Sequence, residues 1–412
     1  SSRGSGEPMR LTGKRVLLGV CGGIAAYKAA LLARALVRAG ATVRVAMTAS
    51  GQRFVTPLTF EALTEQACLT DEDLFHTGGG VSHVEIARTS DLILIAPATA
   101  TTIARLAGGF ADNLLSAVVL ASRAPVLLVP SMHTAMWESV PVQRNLGLLD
   151  PARYRVMPPE SGDLASGDSG PGRFPEPDDI VDAAAAALVP QDLAGRRVVV
   201  TAGPTREPLD PVRALTNPST GRMGIEVARA AQIRGATVHL VLGPTEVPPP
   251  RPLGAGRLGV TRVTTTAEML AATRAATAEA DVLVMAAAPA DERPARPATT
   301  KIRKEDLPRN LELEPTPDIL RTLRPELAGR VVVGFAAETA DVETSGRRKL
   351  AEKGLDLLFA NPVDAGRGFG AGVNQGVLLG RDGAREDVSP RTKAQVADLI
   401  LDRVAGLLDG RR

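Results

Sequence analysis

Apolar residues in this chain fall into short unbroken runs, separated by longer stretches where they recur every three or four positions. The run at 16–20 (VLLGV) leads through Gly22 and Gly23 into an Ala- and Leu-rich segment, 25–38, with helical spacing. Gly40 ends that segment, and 42–47 (TVRVAM) is a second strand. An unbroken apolar run predicts a strand buried on both faces, and a helix between two such strands predicts parallel pairing through a β-α-β crossover. The plan restarts past the midpoint with a strand at 198–201, a helix over 224–235 and a strand at 237–242. Both copies enter the second strand through Gly-Ala-Thr-Val, at 40–43 and 235–238. This repeat predicts a nucleotide-binding α/β topology at the start of each half. Further buried strands are expected at 92–96, 126–129, 282–286, 331–334 and 357–360, and helices at 104–120, 179–188 and 391–408. Segments 160–177 and 290–311 are broken by Gly and Pro and predict loops. The second carries the basic cluster Lys301-Ile302-Arg303-Lys304 and is expected to be mobile; 244–252 is a Pro-rich turn.

A chain of 412 residues is too long for one ordinary domain and fits two. The predicted organisation is α/β: two Rossmann-like domains with mostly parallel sheets, at 11–188 and 195–412. A linker covers 189–194, and 1–10 is a flexible tail or cloning remnant. Aromatic residues are only 3% against 44% hydrophobic, so the cores must be built from Ala, Val and Leu. A net charge of +2 gives no case for nucleic acid or an acidic membrane surface. Cys21 and Cys68 are the only cysteines, too few for a disulfide scaffold and suited to a reducing cytoplasm. No apolar run reaches the ~20 residues of a membrane span, and SSRGSGEPMR lacks the apolar centre of a signal peptide.

Several residues could carry chemistry. A glycine pair between strand and helix lets backbone approach a phosphate at a helix N-terminus; GGIAAYK fits that use or a plain tight turn. His83, alone in VSHVEI, fits a structural role as readily as a catalytic one. Arg213 and Asn217 in VRALTN offer charge and amide hydrogen bonds to a carboxylate or phosphate. Residues 219–224 (STGRMG) open a helix that could hold a phosphate or be ordinarily capped. Lys349 and Lys353 share one helix face, as a nucleotide contact or a solvated stripe.

The company these residues keep narrows the choice. GGIAAYK, SHVEIAR, ILIAPATATTIARLAGGFADNLL, PSMHTAMW and SGDSGPGR together resemble the flavin-dependent cysteine decarboxylase family. TAGPTREPLDPVR, NPSTGRMG, AAAPAD, KIRK, TPDIL, GFAAET and KLAEKGLDLLFAN resemble phosphopantothenate–cysteine ligase. In this order, over residues 11–410, they resemble the bacterial bifunctional family that joins the two (Dfp/CoaBC). The resemblance implies an N-terminal flavodoxin-like flavoprotein domain and a C-terminal ligase domain. The ligase would join cysteine to 4′-phosphopantothenate through an acyl-cytidylate made from CTP with Mg2+; the metal's ligands are unknown. The flavoprotein would decarboxylate the product to 4′-phosphopantetheine with FMN. The implied FMN contacts are Gly22, Gly23, Ile24, Thr48, Ala98, Thr99, Ser116 and Ser131, with His83 as base or carboxylate orienter and His133 on the substrate carboxylate. For CTP they are Asp291, Lys301, Pro317, Asp318, Ile319, Leu320, Phe335, Lys349 and Lys353. For the acyl substrate they are Arg213, Asn217, Ala287 and Ala288; Asn217 and Lys301 would also act in catalysis. A cytoplasmic homo-oligomer follows from the same resemblance, with ligase dimers, decarboxylase trimers and assemblies up to a dodecamer.

The chain departs from the family at chosen places. His133 stands where the PxMN motif has Asn, and Ser166 where the glycine-rich flap has a proton-donating Cys. A serine hydroxyl is far less acidic than a thiol, so either His133 or water supplies the proton, or the reductive half-reaction is weakened. Pro289, Glu292, Thr316 and Pro362 also depart from the ligase motifs. Three alternatives follow: a specialised paralogue acting on another carboxylate or cysteine conjugate, a flavin-binding protein with an impaired decarboxylase half, and a nicotinamide dehydrogenase. The last is disfavoured because neither glycine turn reads GxGxxG.

Overall fold

The computed structural model describes residues 10–74, 83–163, 167, 169–254, 256–306, 310–338, 341–362 and 373–410. Contacts divide the chain into two units at Pro190/Gln191.

The N-terminal unit is a five-stranded parallel sheet of β1 (Arg15–Val20), β2 (Thr42–Met47), β3 (Leu92–Ala98), β4 (Val126–Pro130) and β5 (Tyr154–Val156), in the order β2-β1-β3-β4-β5. This is the flavodoxin-like order, whose direction of winding reverses between β1 and β3 and opens a crevice beyond their C-terminal ends. Leu92–Ala98 is buried throughout because helices cover both faces of the sheet. Two predicted segments differ. The helix expected over 104–120 is two helices, Ala100–Gly108 and Leu114–Ala121. Gly109 ends the first in the left-handed region (φ 70°), and a reciprocal Asn113–Ser116 capping box starts the second. The loop expected over 160–177 contains an antiparallel ribbon, Glu160–Asp163 with Ser169–Arg173.

The C-terminal unit is an eight-stranded sheet. Its strands run in the order Leu258–Arg262, Thr237–Leu242, Arg197–Ala202, Val282–Met285, Val331–Glu338, Leu357–Pro362, Val373–Gly380 and Arg385–Thr392. The first six are parallel, and the last two form an antiparallel edge that the apolar pattern did not reveal. Here the winding reverses between Arg197–Ala202 and Val282–Met285. Alternate residues of each central strand serve opposite faces. Val198, Val200, Val282 and Val284 join one core, and Val199, Leu283 and Met285 the other. The segment expected as a mobile loop at 290–311 begins in order: Glu292–Pro294 pairs with Leu313–Pro315. No helix among the described residues is long and apolar enough to cross a membrane.

Candidate functional sites

In the N-terminal unit, a cavity of about 880 Å3 opens where the winding reverses. The turn after β1 contributes Gly22, Gly23 and Ile24, the turn after β2 Thr48 and Ser50, the turn after β3 Thr99 to Thr102, and the turn after β4 Ser131 to His133. Gly22 is required by a close approach: a Cβ there would fall 2.4 Å from that of Ser50. Thr99 caps the helix Ala100–Gly108, accepting from the Thr102 amide at 3.2 Å. Thr48 accepts from the Gly51 amide at 3.1 Å. The ribbon closes one side, its Gly172 carbonyl accepting from the Ser131 hydroxyl at 3.2 Å. His133 caps a short helix by accepting at Nδ1 from the Ala135 amide, 3.2 Å away. In the neutral ring this puts the proton on Nε2. Lys28, Arg105 and Arg173 bring positive charge to the wall, with Asp163 the acid among them. These three cations escaped the motif reading, although Lys28 ends GGIAAYK and Arg173 ends SGDSGPGR.

Not every expected residue reaches the cavity. Ala98 is fully buried inside β3, and the Ser116 hydroxyl is committed to the capping box with Asn113 at 2.9 Å; neither lines the wall. His83 is the first residue of the helix His83–Thr89 and is absent from the wall too. Ser166 lies outside the described residues. Cys21 is buried under the turn, its sulfur accepting from the Thr102 hydroxyl at 3.1 Å, and burial pushes its thiol up from the ordinary range.

The C-terminal unit has three neighbouring cavities. One of about 230 Å3 is lined by Ala287, Asp291, Pro317, Asp318, Ile319, Leu320, Phe335, Lys349 and Lys353, so that residues expected at the nucleotide meet from separate segments. Both lysines are paired there, Lys349 with Glu338 at 2.7 Å and Lys353 with Asp318 at 3.4 Å. Across Ala287 and Phe335 lies a second cavity of about 230 Å3, which also takes in Ala288 and the turn 219–223. That turn and Asn217 line a third, of about 730 Å3. The Asn217 amide donates to the carbonyls of Ala288 (3.3 Å) and Pro289 (3.0 Å), fixing the turn after Val282–Met285. Arg213 is tied to Asp210 at 3.1 Å and to the Ile302 carbonyl at 3.4 Å, while the Ile302 amide donates to Asp210 at 3.2 Å. Arg213 therefore anchors the basic segment. Lys301, next to that anchor, is exposed and lines none of the three cavities. Among the described residues, no cluster of three or more His, Cys, Asp or Glu is placed to hold a metal.

Two doubly wound units, each with cavities at the C-terminal ends of its parallel strands, define a two-site α/β protein. Residues 5–189 match the Flavoprotein family, and 193–408 match the DNA/pantothenate metabolism flavoprotein C-terminal domain (DFP). The coenzyme A biosynthesis bifunctional protein CoaBC of Bacillus subtilis (strain 168) is 42% identical over 401 residues, covering 96% of this chain and 98% of that one. Its counterpart in Mycobacterium tuberculosis (strain H37Rv) is 43% identical over 415 residues, covering 96% and 97%. A solved structure of a CoaBC C-terminal domain is 34% identical over 53% of this chain and 99% of its own, with a TM-score of 0.45. The chain belongs to the CoaBC family of bifunctional coenzyme A biosynthesis proteins. It is an enzyme with two activities, phosphopantothenate–cysteine ligase and phosphopantothenoylcysteine decarboxylase.

Proposed function

We propose that the C-terminal unit joins cysteine to 4′-phosphopantothenate at the expense of CTP, and that the N-terminal unit decarboxylates the product with FMN. The observation that carries the reading is convergence. Ala287, Asp291, 317–320, Phe335 and Lys349/Lys353 come from separate turns, strands and helices and share one cavity wall.

The N-terminal cavity fits a flavin mononucleotide. Its volume lies in the ~300–1,000 Å3 range of cofactor pockets. The backbone of Gly22 to Ile24 leads into the helix Ala26–Arg38, hydroxyls of Thr48, Ser50, Thr99 and Ser131 surround it, and Lys28, Arg105 and Arg173 offer charge to a phosphate. When bound, FMN supplies reversible two-electron oxidation of the substrate thiol, which lets the neighbouring carboxylate depart as CO2. The protein positions and moves protons. The His133 Nε2 proton faces the substrate carboxylate, and the ribbon excludes water. His83 serves as base or carboxylate orienter. Its place off the wall of its own chain's cavity favours flavin sites shared between subunits of a homo-oligomer.

In the ligase half, the 4′-phosphopantothenate carboxylate attacks the α-phosphate of CTP. An acyl-cytidylate forms and pyrophosphate leaves; the cysteine amine then displaces CMP. Asn217 holds the 288–289 carbonyls in place beside that intermediate, and Lys301 closes over it from the segment anchored by Arg213. Lys349 and Lys353 exchange their carboxylate partners for phosphate oxygens. Mg2+ enters on the nucleotide, since the wall offers only the carboxylates of Asp291 and Asp318.

The test is to mix the FMN-loaded protein with 4′-phosphopantothenate, cysteine, CTP and Mg2+ and follow products by mass spectrometry. 4′-Phosphopantetheine is expected. Intact CTP and no ligation product would overturn the ligase reading. Accumulated phosphopantothenoylcysteine with unbleached flavin would overturn the decarboxylase reading.

A further inference from the structure

The cavity on the far side of Ala287 and Phe335 is electrostatically unlike its neighbour. Its wall comprises the turn 219–223, residues 286–288 and 335–337, Asn361, Asn374 and Lys393, with no carboxylate. Two cations stand on it. Arg222 begins the 12-residue helix Arg222–Ile233, and Lys393 begins the C-terminal helix Lys393–Asp409. Both also line the adjoining larger cavity, so they form the wall common to the two.

Lys393 is only 8% exposed, yet among the described residues no acid pairs with it. Its ammonium donates to the Asn374 Oδ1 at 2.8 Å. Among the same residues Arg222 makes no ion pair. This contrasts with Lys349 and Lys353, each of which has its carboxylate. The larger cavity does carry Glu226 and Glu246, but Glu226 is paired with Arg229 at 3.7 Å. Burial, and then the charge of Arg222, lower the Lys393 pKa from its ordinary value. An ammonium in that setting is costly unless an anion arrives. The helix Arg222–Ile233 points the same way: Gly221 precedes it at φ 73°, and no side chain caps its first turn. A Cβ at Gly221 would also press on the Gly203 backbone at 3.2 Å. First-turn amides without a side-chain cap, beside two cations, make an anion cradle.

We propose that Lys393 and Arg222 bind a phosphate group of a ligase substrate on this shared wall. The inference rests on the ligase reading above and extends it to Lys393, which lies outside every motif, and to the side chain of Arg222 in the STGRMG turn. Two phosphates have the right chemistry, the 4′-phosphate of phosphopantothenate and the terminal phosphates of CTP. The 4′-phosphate sits at the opposite end of its molecule from the reacting carboxylate, so a contact there stabilises ground and transition states alike and acts on KM.

The experiment is steady-state ligation by the full chain carrying Lys393→Met, Lys393→Arg or Arg222→Gln, varying 4′-phosphopantothenate and CTP in turn. Unphosphorylated pantothenate serves as a parallel substrate, and decarboxylation of added phosphopantothenoylcysteine as the folding control. A charge-assisted contact is worth about 10- to 100-fold in KM. A rise of that size for 4′-phosphopantothenate alone, with no change toward pantothenate and partial rescue by Lys393→Arg, assigns the subsite to the 4′-phosphate. A rise for CTP alone assigns it to the nucleotide. Arg222 is exposed, so Arg222→Gln remains readable if Lys393→Met fails to fold. Unchanged KM values for both substrates in Arg222→Gln and in either folded Lys393 variant would overturn the proposal, as would a loss confined to kcat or to thermal stability. No ligation by the wild-type chain would instead overturn the reading on which it rests.

Discussion

At the scale of single residues, the structure sorts polar groups by what already holds them. Cys21 is committed to Thr102 and buried, and Cys68 is pushed up to about 12 by burial and then by Glu61 and Asp73. Neither lines the wall of the N-terminal cavity, so neither replaces the proton-donating flap cysteine. His83→Asn is expected to slow decarboxylation by ~10²–10⁴-fold, the range of a general acid–base group, and to leave ligation intact. Accumulation of phosphopantothenoylcysteine in the coupled assay is the readout, and undiminished phosphopantetheine would remove His83 from the mechanism. Asp210 gives a pH prediction. Burial raises its pKa, but the amides of Val212, Arg213 and Ile302, with the Arg213 charge, outweigh burial and leave it below the ordinary carboxylate value. A carboxylate depressed in the folded state stabilises above its unfolded pKa of about 3.9, and that contribution is lost as pH falls through the folded value. Asp210→Asn should therefore melt lower than wild type at pH 6–7, with the gap closing below about pH 4; thermal unfolding across pH 3–7 measures it. His133, Asn217 and the 317–320 segment could be picked from their motifs. The Ala288 and Pro289 carbonyls that hold Asn217, and the Ile302 carbonyl that holds Arg213, could not, because they belong to segments far away in sequence.

At the scale of elements, short buried strands were readable because both faces are covered and the runs are continuously apolar. The misread elements are those whose residues carry the opposite composition. The ribbon Glu160–Asp163/Ser169–Arg173 is polar and Gly-rich, so nothing local marks it as sheet; its cross-strand partners do. Residues 104–120 keep helical spacing on either side of a break made by Gly109 and the Asn113 cap. That break draws Ser116 into capping and away from the flavin cavity. The turn after β1 yields a sharper test. A methyl at Gly22 would fall 2.4 Å from the Ser50 Cβ and 2.9 Å from its carbonyl carbon. Gly22→Ala is expected to cost about 1–3 kcal/mol by overpacking and to yield protein that retains at most a tenth of the flavin, about 1.4 kcal/mol of lost affinity. The ratio of 450 nm to 280 nm absorbance after gel filtration reports it. Full retention would show that this turn does not shape the flavin site.

At the scale of the whole molecule, the units meeting at Pro190/Gln191 each have a sheet and buried cores of their own. A fragment covering 191–412 is expected to ligate cysteine to 4′-phosphopantothenate with CTP at a rate within about threefold of the full chain, as for a domain with its own core. A fragment covering 1–190 is expected to bind FMN and decarboxylate supplied phosphopantothenoylcysteine. Loss of ligation in the folded C-terminal fragment would show that the active ligase needs the flavoprotein unit.

The sequence alone determined the doubled β-α-β plan, the α/β class and the family. Each depends on local periodicity or on motifs that are contiguous in the chain. Tertiary structure decided where the winding reverses in each sheet, and so which turns share a cavity. It placed Ala98 and Ser116 in the interior and Lys393 beside Arg222, with 170 residues of chain between them. The physical reason is that strand order is set by which buried faces pack together. That pairing brings distant turns to one sheet edge, and no local pattern of residues records it.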